Sequence, residues 1–436
     1  MITSVSEPWR WRDCRSCDLR YACGQFGSDV DWVRIISGIP AGWHMSFVQQ
    51  DLFCPGECGY HLFRIPAIIA TQSGNLLAFC EGRKNNHFDA GQIDLCMKRS
   101  FDLGRTWEPV RIIASDGRDT MGNPCPLVDQ ETGTIWMAFC RNYREDRSKA
   151  IMDRTARGTR TCWMMHSHDD GETWSDPTNM TARVKKSDWT GYGTGPGVGI
   201  QLRDGRLLVP CYHGVAETKI YESHVIYSDN HGQTWHIGGS VGPHCSESAV
   251  VELADGTILL NMRDETLPRA VARGEIGLDD RGRPILPGGG SGFCRAHAIS
   301  QDRGMTWAAK QSARGLTDTV CQASILRYTE EATQGKSHIL FANPSSLETK
   351  PVSDGYPGGR QRKQMTIRLS DDEAKTWPIA KTINPGFAAY SCLVQLPDAR
   401  IGCFYEAELP TSGRGKLMFA TVSLDWLTNG EDDGMS

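Results

Sequence analysis

Short apolar runs bounded by turn residues recur along the chain and determine its predicted architecture. Six such runs read SGNLLAF, TGTIWMAF, DGRLLVP, DGTILLN, GKSHILFAN and DARIGCFY, with the turn residue at Gly74, Gly133, Gly205, Gly256, Gly335 and Ala399. Apolar runs of this length that begin at a tight turn are typical of β-strands. The pattern therefore predicts six repeated units, each with a strand that starts at this turn.

A second repeat marks a different turn of the same units. SFDLGRTW (100–107) returns as SHDDGETW (167–174), SDNHGQTW (228–235), SQDRGMTW (300–307) and SDDEAKTW (370–377). In each copy we expect the Ser and Asp side chains to cap turn backbone, the Gly to take a positive φ, and the Trp to pack between units. Two copies depart from the pattern: Asn230 replaces the Asp of the third copy, a mild change, and Ala374 replaces the Gly of the last copy, where a left-handed Ala costs about 1–2 kcal/mol.

Units of about sixty residues, made of strands and turns, predict an all-β fold, a six-bladed β-propeller of four-stranded antiparallel blades. We expect this single domain to span residues 45–430, after an extension at 1–44 that is poorly ordered or not native and before a tail at 431–436. Both repeated turns lie at one end of the blades. A ligand site is therefore expected at the other end, where each first strand starts and each second strand ends.

Composition and charge narrow the classes of partner. The net charge is −5, so the chain lacks the overall basic character typical of nucleic-acid binding. No apolar run approaches the roughly 20 residues that span a bilayer. The 16 cysteines mostly stand singly in apolar runs, which is typical of small buried hydrophobes. The first residues show no signal peptide, which favours a cytoplasmic protein; a misassigned start would allow a secreted or periplasmic one. The oligomeric state stays open.

Polar side chains recur at the strand ends where the site is expected. They are Arg64, Asn123, Glu247 and Tyr390 before the turns, and Arg83, Arg141, Tyr212, Arg263 and Glu406 after them. Arg141 taken alone is better explained as a solvated surface residue. Arginines gathered at the centre of an acidic protein indicate a bound anion, most simply a carboxylate held by bidentate contacts.

The same residues carry a family resemblance. HLFRIPAI resembles the Phe-Arg-Ile-Pro signature of the exo-α-sialidases (neuraminidases), six-bladed propellers with Asp-boxes (BNR repeats), and the resemblance runs from about Gly59 to Trp426. It implies that Arg64, Arg263 and Arg362 bind the substrate carboxylate. Arg360 is the alternative to Arg362 as the third arginine.

The resemblance also implies the catalytic residues. Sialidases use a Tyr nucleophile, since a carboxylate would face the negative charge already present on the anomeric carbon of sialic acid. AYSCLVQLPD resembles the nucleophile strand and makes Tyr390 the candidate, with Glu247 as its base. EGRKNNHFDAGQIDL resembles the loop of the catalytic acid, which gives Asp89 that role. Asp94 is the rival, but a structural role in the strand before the first box suits it better.

Four further residues complete the implied site. Glu406 resembles the carboxylate that orients Arg64, and Arg83 resembles an arginine at the O4 and N-acyl side of the sugar. Asn123 and Tyr212 resemble residues that line the pocket. We expect no cofactor and no metal.

The sequence thus predicts a retaining exo-α-sialidase that acts on sialylated glycans or glycoconjugates. The alternatives are a catalytically silent sialoside-binding or scaffold propeller, a trans-sialidase, and a different enzyme on the same fold, such as a glucanase.

Overall fold

The computed structural model describes residues 46–277, 279, 293–329, 337–350, 359–408 and 415–429. Within these ranges the strands, nearly all paired antiparallel, group into the six blades of a β-propeller, as the repeats predict; blades 1 and 2 share one eight-stranded sheet and blades 5 and 6 one seven-stranded sheet. The expected extension at 1–44 and the tail at 431–436 lie outside the described residues, and so does the turn residue Gly335.

The chain enters the fold with β1 (Phe47–Phe53) and then builds the blades in order. Blade 1 consists of β2 (Leu62–Ala70), β3 (Leu76–Arg83), β4 (Ile93–Ser100) and β5 (Arg111–Ala114). Blade 2 consists of β6 (Thr120–Val128), β7 (Ile135–Asn142), β8 (Thr161–Ser167) and β9 (Thr178–Asn179). Blade 3 consists of β10 (Trp189–Thr194) with β11 (Ile200–Gln201), then β12 (Leu207–Val215), β13 (Ile220–Ser228) and β14 (His236–Val241).

The remaining blades follow the same plan. Blade 4 consists of β15 (Cys245–Glu252), β16 (Ile258–Asp264), β17 (Cys294–Ser300) and β18 (Gln311–Thr317). Blade 5 begins with β19 (Ser324–Thr329) and β20 (Ser337–Pro344); a short pair, β21 (Thr349–Lys350) and β22 (Gly359–Arg360), precedes β23 (Lys363–Ser370) and the first part of β24 (Ile379–Gln395). Blade 6 takes the rest of β24, then β25 (Ile401–Glu408), β26 (Gly415–Val422) and β1.

Helices are few and short in the described part of the chain. They are a 3-10 turn (Glu57–Gly59) and four helices, α1 (Ser148–Met152), α2 (Thr181–Val184), α3 (Thr266–Ala272) and α4 (Leu424–Thr428). Among the described residues, none of these helices has the length and apolar character needed to cross a bilayer.

Blade 6 closes the ring by pairing the two ends of the described chain. β1 runs antiparallel to β26, with Phe47 opposite Val422, and Phe47 stacks on Trp426 with ring centroids 5.0 Å apart. In this blade the third and fourth strands come from distant parts of the sequence. No turn joins them, which explains why five Asp-boxes serve six blades.

The five boxes are built as the sequence predicts. In the first, the Ser100 hydroxyl accepts a hydrogen bond from the Gly104 N–H at 2.8 Å, and the Asp102 carboxylate accepts from the N–H and hydroxyl of Thr106. Three other copies repeat this pattern. In the third copy Asn230 replaces the Asp: its Oδ1 accepts from the Thr234 N–H at 2.9 Å, and its Nδ2 donates to the Thr234 hydroxyl at 3.0 Å. The Trp that ends each box packs in the apolar cluster between blades; Trp107, for example, meets Phe419 of blade 6 edge-on at 5.4 Å. The boxes therefore stabilise turns and blade contacts.

Ala374 keeps the left-handed conformation of the glycine it replaces, with φ 64°. We expect Ala374→Gly to raise the free energy of unfolding by about 0.5–1 kcal/mol, because relief of the left-handed strain exceeds the added freedom of glycine in the unfolded chain. Urea unfolding measures the change. Ala420→Gly, in the buried strand β26, is the control and should lower stability. A fall in stability in both variants would contradict this view of Ala374.

Candidate active site

Four innermost strands are interrupted near their starts. Register breaks lie between Arg64 and Ala67 in β2, Gly122 and Cys125 in β6, Cys245 and Ser248 in β15, and Ala388 and Ser391 in β24. Each break contains or borders one predicted site residue, namely Arg64, Asn123, Glu247 or Tyr390. A β-bulge turns its strand locally and redirects a side chain. All four of these side chains line one cavity.

The cavity has a volume of about 210 Å³ and lies at the strand ends remote from the Asp-boxes. Its lining includes nine of the ten residues predicted for the site: Arg64, Arg83, Asp89, Asn123, Tyr212, Glu247, Arg263, Arg362 and Tyr390. The tenth, Glu406, lies directly behind Arg64. The structure therefore brings the predicted residues together, while their roles in chemistry stay predictions.

Arg64 is fixed by Glu406 from the neighbouring blade. Its Nε and Nη2 donate to the two carboxylate oxygens of Glu406, each at 3.1 Å, and the Ile65 N–H donates to the same carboxylate at 2.9 Å. Ile65 has φ 61°, an unfavourable conformation for a β-branched residue. Glu406 thus holds both the guanidinium of Arg64 and the strained backbone that follows it, which leaves Nη1 directed at the cavity mouth, 3.4 Å from Asp89.

Tyr390, Glu247 and Arg263 form a connected group at the cavity floor. The Tyr390 hydroxyl donates to Glu247, whose other carboxylate oxygen accepts from Arg263 Nη1 at 2.9 Å. Burial and the Glu247 carboxylate raise the pKa of Tyr390 well above its ordinary value, although Arg263 and Arg362 oppose the rise. The buried Nε of Arg263 lies 3.6 Å from Glu265 Oε1, an ion pair beyond hydrogen-bond distance, and makes no hydrogen bond among the described residues. The floor therefore offers a neutral phenol beside a base, and a donor that a bound anion would satisfy.

Arg362 and Arg360 occupy different surroundings. Arg362 lines the cavity, its guanidinium carbon lies 5.7 Å from the centre of the Tyr390 ring, and its Nη2 donates to the Val320 carbonyl at 2.7 Å. Arg360 donates to the Leu347 carbonyl, and its guanidinium lies over the Phe293 ring. Of the two candidates for the third arginine, Arg362 is the one in the cavity.

Asp89 lies at the mouth of the cavity between two arginines. Its Oδ1 is 2.9 Å from Arg83 Nη1 and 3.4 Å from Arg64 Nη1, and its side chain is 70 % exposed. Enclosure by the mouth opposes ionisation, but the guanidiniums of Arg83 and Arg64 outweigh it and lower the pKa of Asp89 to about 2. In the ligand-free site Asp89 is therefore an ionised carboxylate within reach of water.

Asp94 and Arg141, the other polar residues considered from the sequence, make contacts away from the cavity. Asp94 lies in β4, where its carboxylate accepts from the Tyr60 hydroxyl at 2.7 Å, and it is not part of the cavity lining. Arg141 forms ion pairs with Asp116 at 2.8 Å and Asp119 at 2.7 Å, and it also lies outside the lining.

Three charged residues that line the cavity were not predicted from the sequence: Glu81, Arg160 and Glu265, whose Oε1 lies 3.6 Å from Arg263 Nε and accepts from the Ser246 hydroxyl at 3.1 Å. Glu81 accepts from Arg83 Nε at 2.9 Å and from the Asn123 N–H at 2.8 Å, so it joins blades 1 and 2 beneath the cavity. A charge pair two residues apart in the apolar strand LLAFCEGR was the available signal, because buried charges require partners. Arg160 reaches the cavity from the connection before β8, donating to Asn142 at 3.2 Å. No repeat or motif in the sequence marks Arg160.

Comparison with known proteins shows that the chain is similar to sialidases. The family model described as a BNR repeat-like domain matches residues 74–276. The chain is 32 % identical to a sialidase of Micromonospora viridifaciens over 402 residues, which cover 89 % of this chain and 56 % of that protein. It is 28 % identical to an exo-alpha-sialidase of Aspergillus fumigatus, covering 86 % of this chain and 87 % of the relative.

Among solved structures, the Hadza microbial sialidase Hz136 superposes with a TM-score of 0.71 at 28 % identity, over 87 % of this chain and 69 % of that one. The chain spans little more than half the length of the Micromonospora sialidase and 61 % of a sialidase from Bacteroides fragilis. In sequence and in fold the chain is therefore similar to the exo-α-sialidases and sialidases, which match it over most of its length.

Proposed function

We propose that this protein is an exo-α-sialidase that hydrolyses terminal α-linked sialic acid from glycoconjugates with retention of configuration. The observation that carries the proposal is the hydrogen bond from Tyr390 to Glu247 inside a cavity lined by Arg64, Arg263 and Arg362. Saturable binding of an acidic sugar would need only the arginines. A phenol paired with a buried carboxylate adds a nucleophile and its base.

The arginines account for recognition of the substrate carboxylate. The guanidinium carbons of Arg64 and Arg362 lie 5.3 Å and 5.7 Å from the centre of the Tyr390 ring, and Arg263 approaches from the Glu247 side. A carboxylate bound among them would satisfy the buried Nε of Arg263 and place the adjoining anomeric carbon near Tyr390. A neutral sugar, such as a glucan, would bring no negative charge to these three guanidiniums, which disfavours the glucanase alternative.

The first chemical step uses the pair at the cavity floor. As the Tyr390 oxygen bonds to the anomeric carbon, its proton passes to Glu247, so that no free phenolate is required beforehand. The bond from the anomeric carbon to the leaving oxygen breaks, and Asp89 gives that oxygen a proton. In the second step Asp89 takes a proton from water as the water oxygen bonds to the anomeric carbon. The bond from that carbon to the Tyr390 oxygen breaks, and Tyr390 regains its proton from Glu247.

Asp89 must gain a proton when substrate binds, because Arg83 and Arg64 keep its pKa at about 2 in the ligand-free site. The substrate carboxylate would compete for Arg64 and raise this pKa. Since protonation is tied to binding, productive binding should weaken as pH rises. Calorimetry of a carboxylated sialic acid analogue in buffers of different ionisation enthalpy measures the proton uptake.

We expect Asp89→Asn to slow release of a sugar leaving group by roughly 100-fold or more, because general acid catalysis contributes about 10²–10⁴-fold. Release of an acidic phenol from an aryl sialoside should slow far less, since that leaving group departs without a proton. Rates on the two substrates measure the difference. Equal losses on both would contradict the role of Asp89 as the acid.

Arg160 contacts the cavity away from the three arginines, beside Asn142 and Tyr212. We expect Arg160→Met to lower kcat/KM about tenfold, because a hydrogen bond to a charged group is worth roughly 1.5–3 kcal/mol. The loss should differ among sialic acids with a hydroxyl or an acylamino group at C5, since the acceptor oxygens of these groups lie at different distances from the sugar ring. A panel of substrates that differ only at C5 measures it. Equal losses across the panel would place Arg160 away from that substituent.

Release of a fluorescent aglycone from an α-sialoside tests the proposed function as a whole. Nuclear magnetic resonance of the first product identifies its anomer, and chromatography separates free sialic acid from a transfer product. Retained configuration with free sialic acid supports hydrolysis; a sialylated acceptor would indicate a trans-sialidase. Saturable binding without turnover would instead indicate the silent propeller.

A further inference from the structure

We propose that Asp318 is a positioning residue that holds Arg362 in its place through the backbone carbonyl of Val320. This inference rests on the proposed function, because Arg362 is taken to bind the substrate carboxylate. Asp318 lies outside the cavity lining, in the loop that connects β18 to β19 at the start of blade 5.

The Asp318 carboxylate organises the loop around it. Its side chain is 2 % exposed, and its Oδ1 accepts from the N–H groups of Val320 at 2.7 Å and Cys321 at 3.3 Å. Its Oδ2 accepts from the N–H of Asp264 at 2.9 Å, and Asp264 directly follows Arg263 in β16. One buried carboxylate therefore fixes a turn of blade 5 to the end of a strand in blade 4.

The turn that Asp318 closes presents a carbonyl to Arg362. Val320 has φ 54°, which is unfavourable for a β-branched residue and persists only where neighbouring contacts enforce it. In this conformation its carbonyl accepts from Arg362 Nη2 at 2.7 Å. The hydrogen bond from the Val320 N–H to Asp318 is the contact that enforces it, so the direction of the carbonyl depends on Asp318.

Two further contacts connect the loop between β18 and β19 to the residues of the cavity. Cys321 packs with Tyr390, Ile65 and Ala389 in a small buried cluster. The Cys321 carbonyl accepts from Arg295 Nη1 at 2.6 Å, and the same nitrogen lies 3.4 Å from Asp318 Oδ2. The fully buried Arg295 thus supplies the counter-charge that lets Asp318 stay in this apolar position.

A double-mutant cycle tests the proposal, because residues that act through one another give non-additive effects. We expect Asp318→Asn to lower kcat/KM for an aryl α-sialoside about tenfold, mainly through KM, in the otherwise unchanged protein. In the Arg362→Met background the same substitution should change kcat/KM less than twofold. A purely structural role would give the same factor in both backgrounds, and that result would overturn the proposal.

Asp129→Asn is the matched control. Asp129 is also fully buried and accepts from backbone and side chains in its own turn, but it lies at the Gly133 turn, on the face remote from the cavity. The Asp129→Asn substitution should lower the unfolding midpoint and leave KM within twofold of that of the unsubstituted protein. A rise in KM equal to that of Asp318→Asn would show that any buried Asp loss disturbs the site, and would overturn the proposal.

If Asp318→Asn does not fold, Val320→Gly decides the question. Glycine accepts the left-handed φ without strain but leaves the carbonyl free to turn from Arg362, so KM should rise about threefold and the effect should vanish with Arg362→Met. An unchanged KM would overturn the inference. Inactivity of the unsubstituted protein on every sialoside is a separate outcome, which would refute the proposed function itself.

Discussion

Replacing Tyr390 by Phe should lower kcat for sialoside hydrolysis by roughly 10³-fold or more, because the covalent route loses its nucleophile. The change removes one oxygen and preserves the ring that packs on Cys321 and Ile65. Binding of a carboxylated sialic acid analogue should remain, since Arg64, Arg263 and Arg362 are unchanged. Single-turnover kinetics and calorimetry measure the two effects separately.

Tyr212→Phe is the matched control for this result. Tyr212 is a second phenol of the same cavity, but its hydroxyl is 3.5 Å from Asn123 Nδ2 rather than beside Glu247. We expect its loss to reduce kcat less than about tenfold, the scale of one neutral hydrogen bond. Tyr390→Phe with unchanged turnover, or equal losses in both variants, would contradict the role given to Tyr390.

Arg362→Met should lower kcat/KM by about 100-fold or more, because charge-assisted hydrogen bonds to a carboxylate are worth roughly 1.5–3 kcal/mol each. Methionine preserves much of the side-chain volume and removes only the charge and its donors. The loss should appear in both KM and the affinity for carboxylated inhibitors. Steady-state kinetics and calorimetry measure it.

Arg360→Met distinguishes the two arginines that the sequence left as alternatives. Arg360 lies two residues earlier, with its guanidinium over Phe293 and its donor on the Leu347 carbonyl. We expect kcat/KM to stay within about threefold, because a partly exposed side chain outside the cavity contributes little to binding. The opposite ranking, with the larger loss at Arg360, would reverse the assignment.

The fold was predictable because its signals repeat. Turn residues and boxes fixed the number of blades, and the repeat even placed a left-handed residue at Ala374, which has φ 64°. Closure of blade 6 by β1 was not predictable, since the N-terminal strand carries neither repeat. β1 pairs with β26, a strand more than 350 residues away in the sequence, and no local pattern indicates a pairing at that distance.

The site was predictable in part, and for a different reason. Offsets from the turns placed Arg64 and Glu247 on one face, but their roles came from family resemblance. The bulges that redirect these side chains depend on strand register, which single residues do not reveal. Arg160 and Asp318 escaped prediction because each acts from a connection between strands, where no periodicity exists.

The central claim is that Tyr390 forms a covalent bond to the anomeric carbon of sialic acid, and covalent trapping tests it most directly. A sialosyl fluoride with a second fluorine at C3 should form the intermediate and slow its hydrolysis. We expect intact mass spectrometry to show one added sugar per chain and peptide mapping to place it on Tyr390. A sugar on another residue, or turnover with no adduct at any time, would contradict the account.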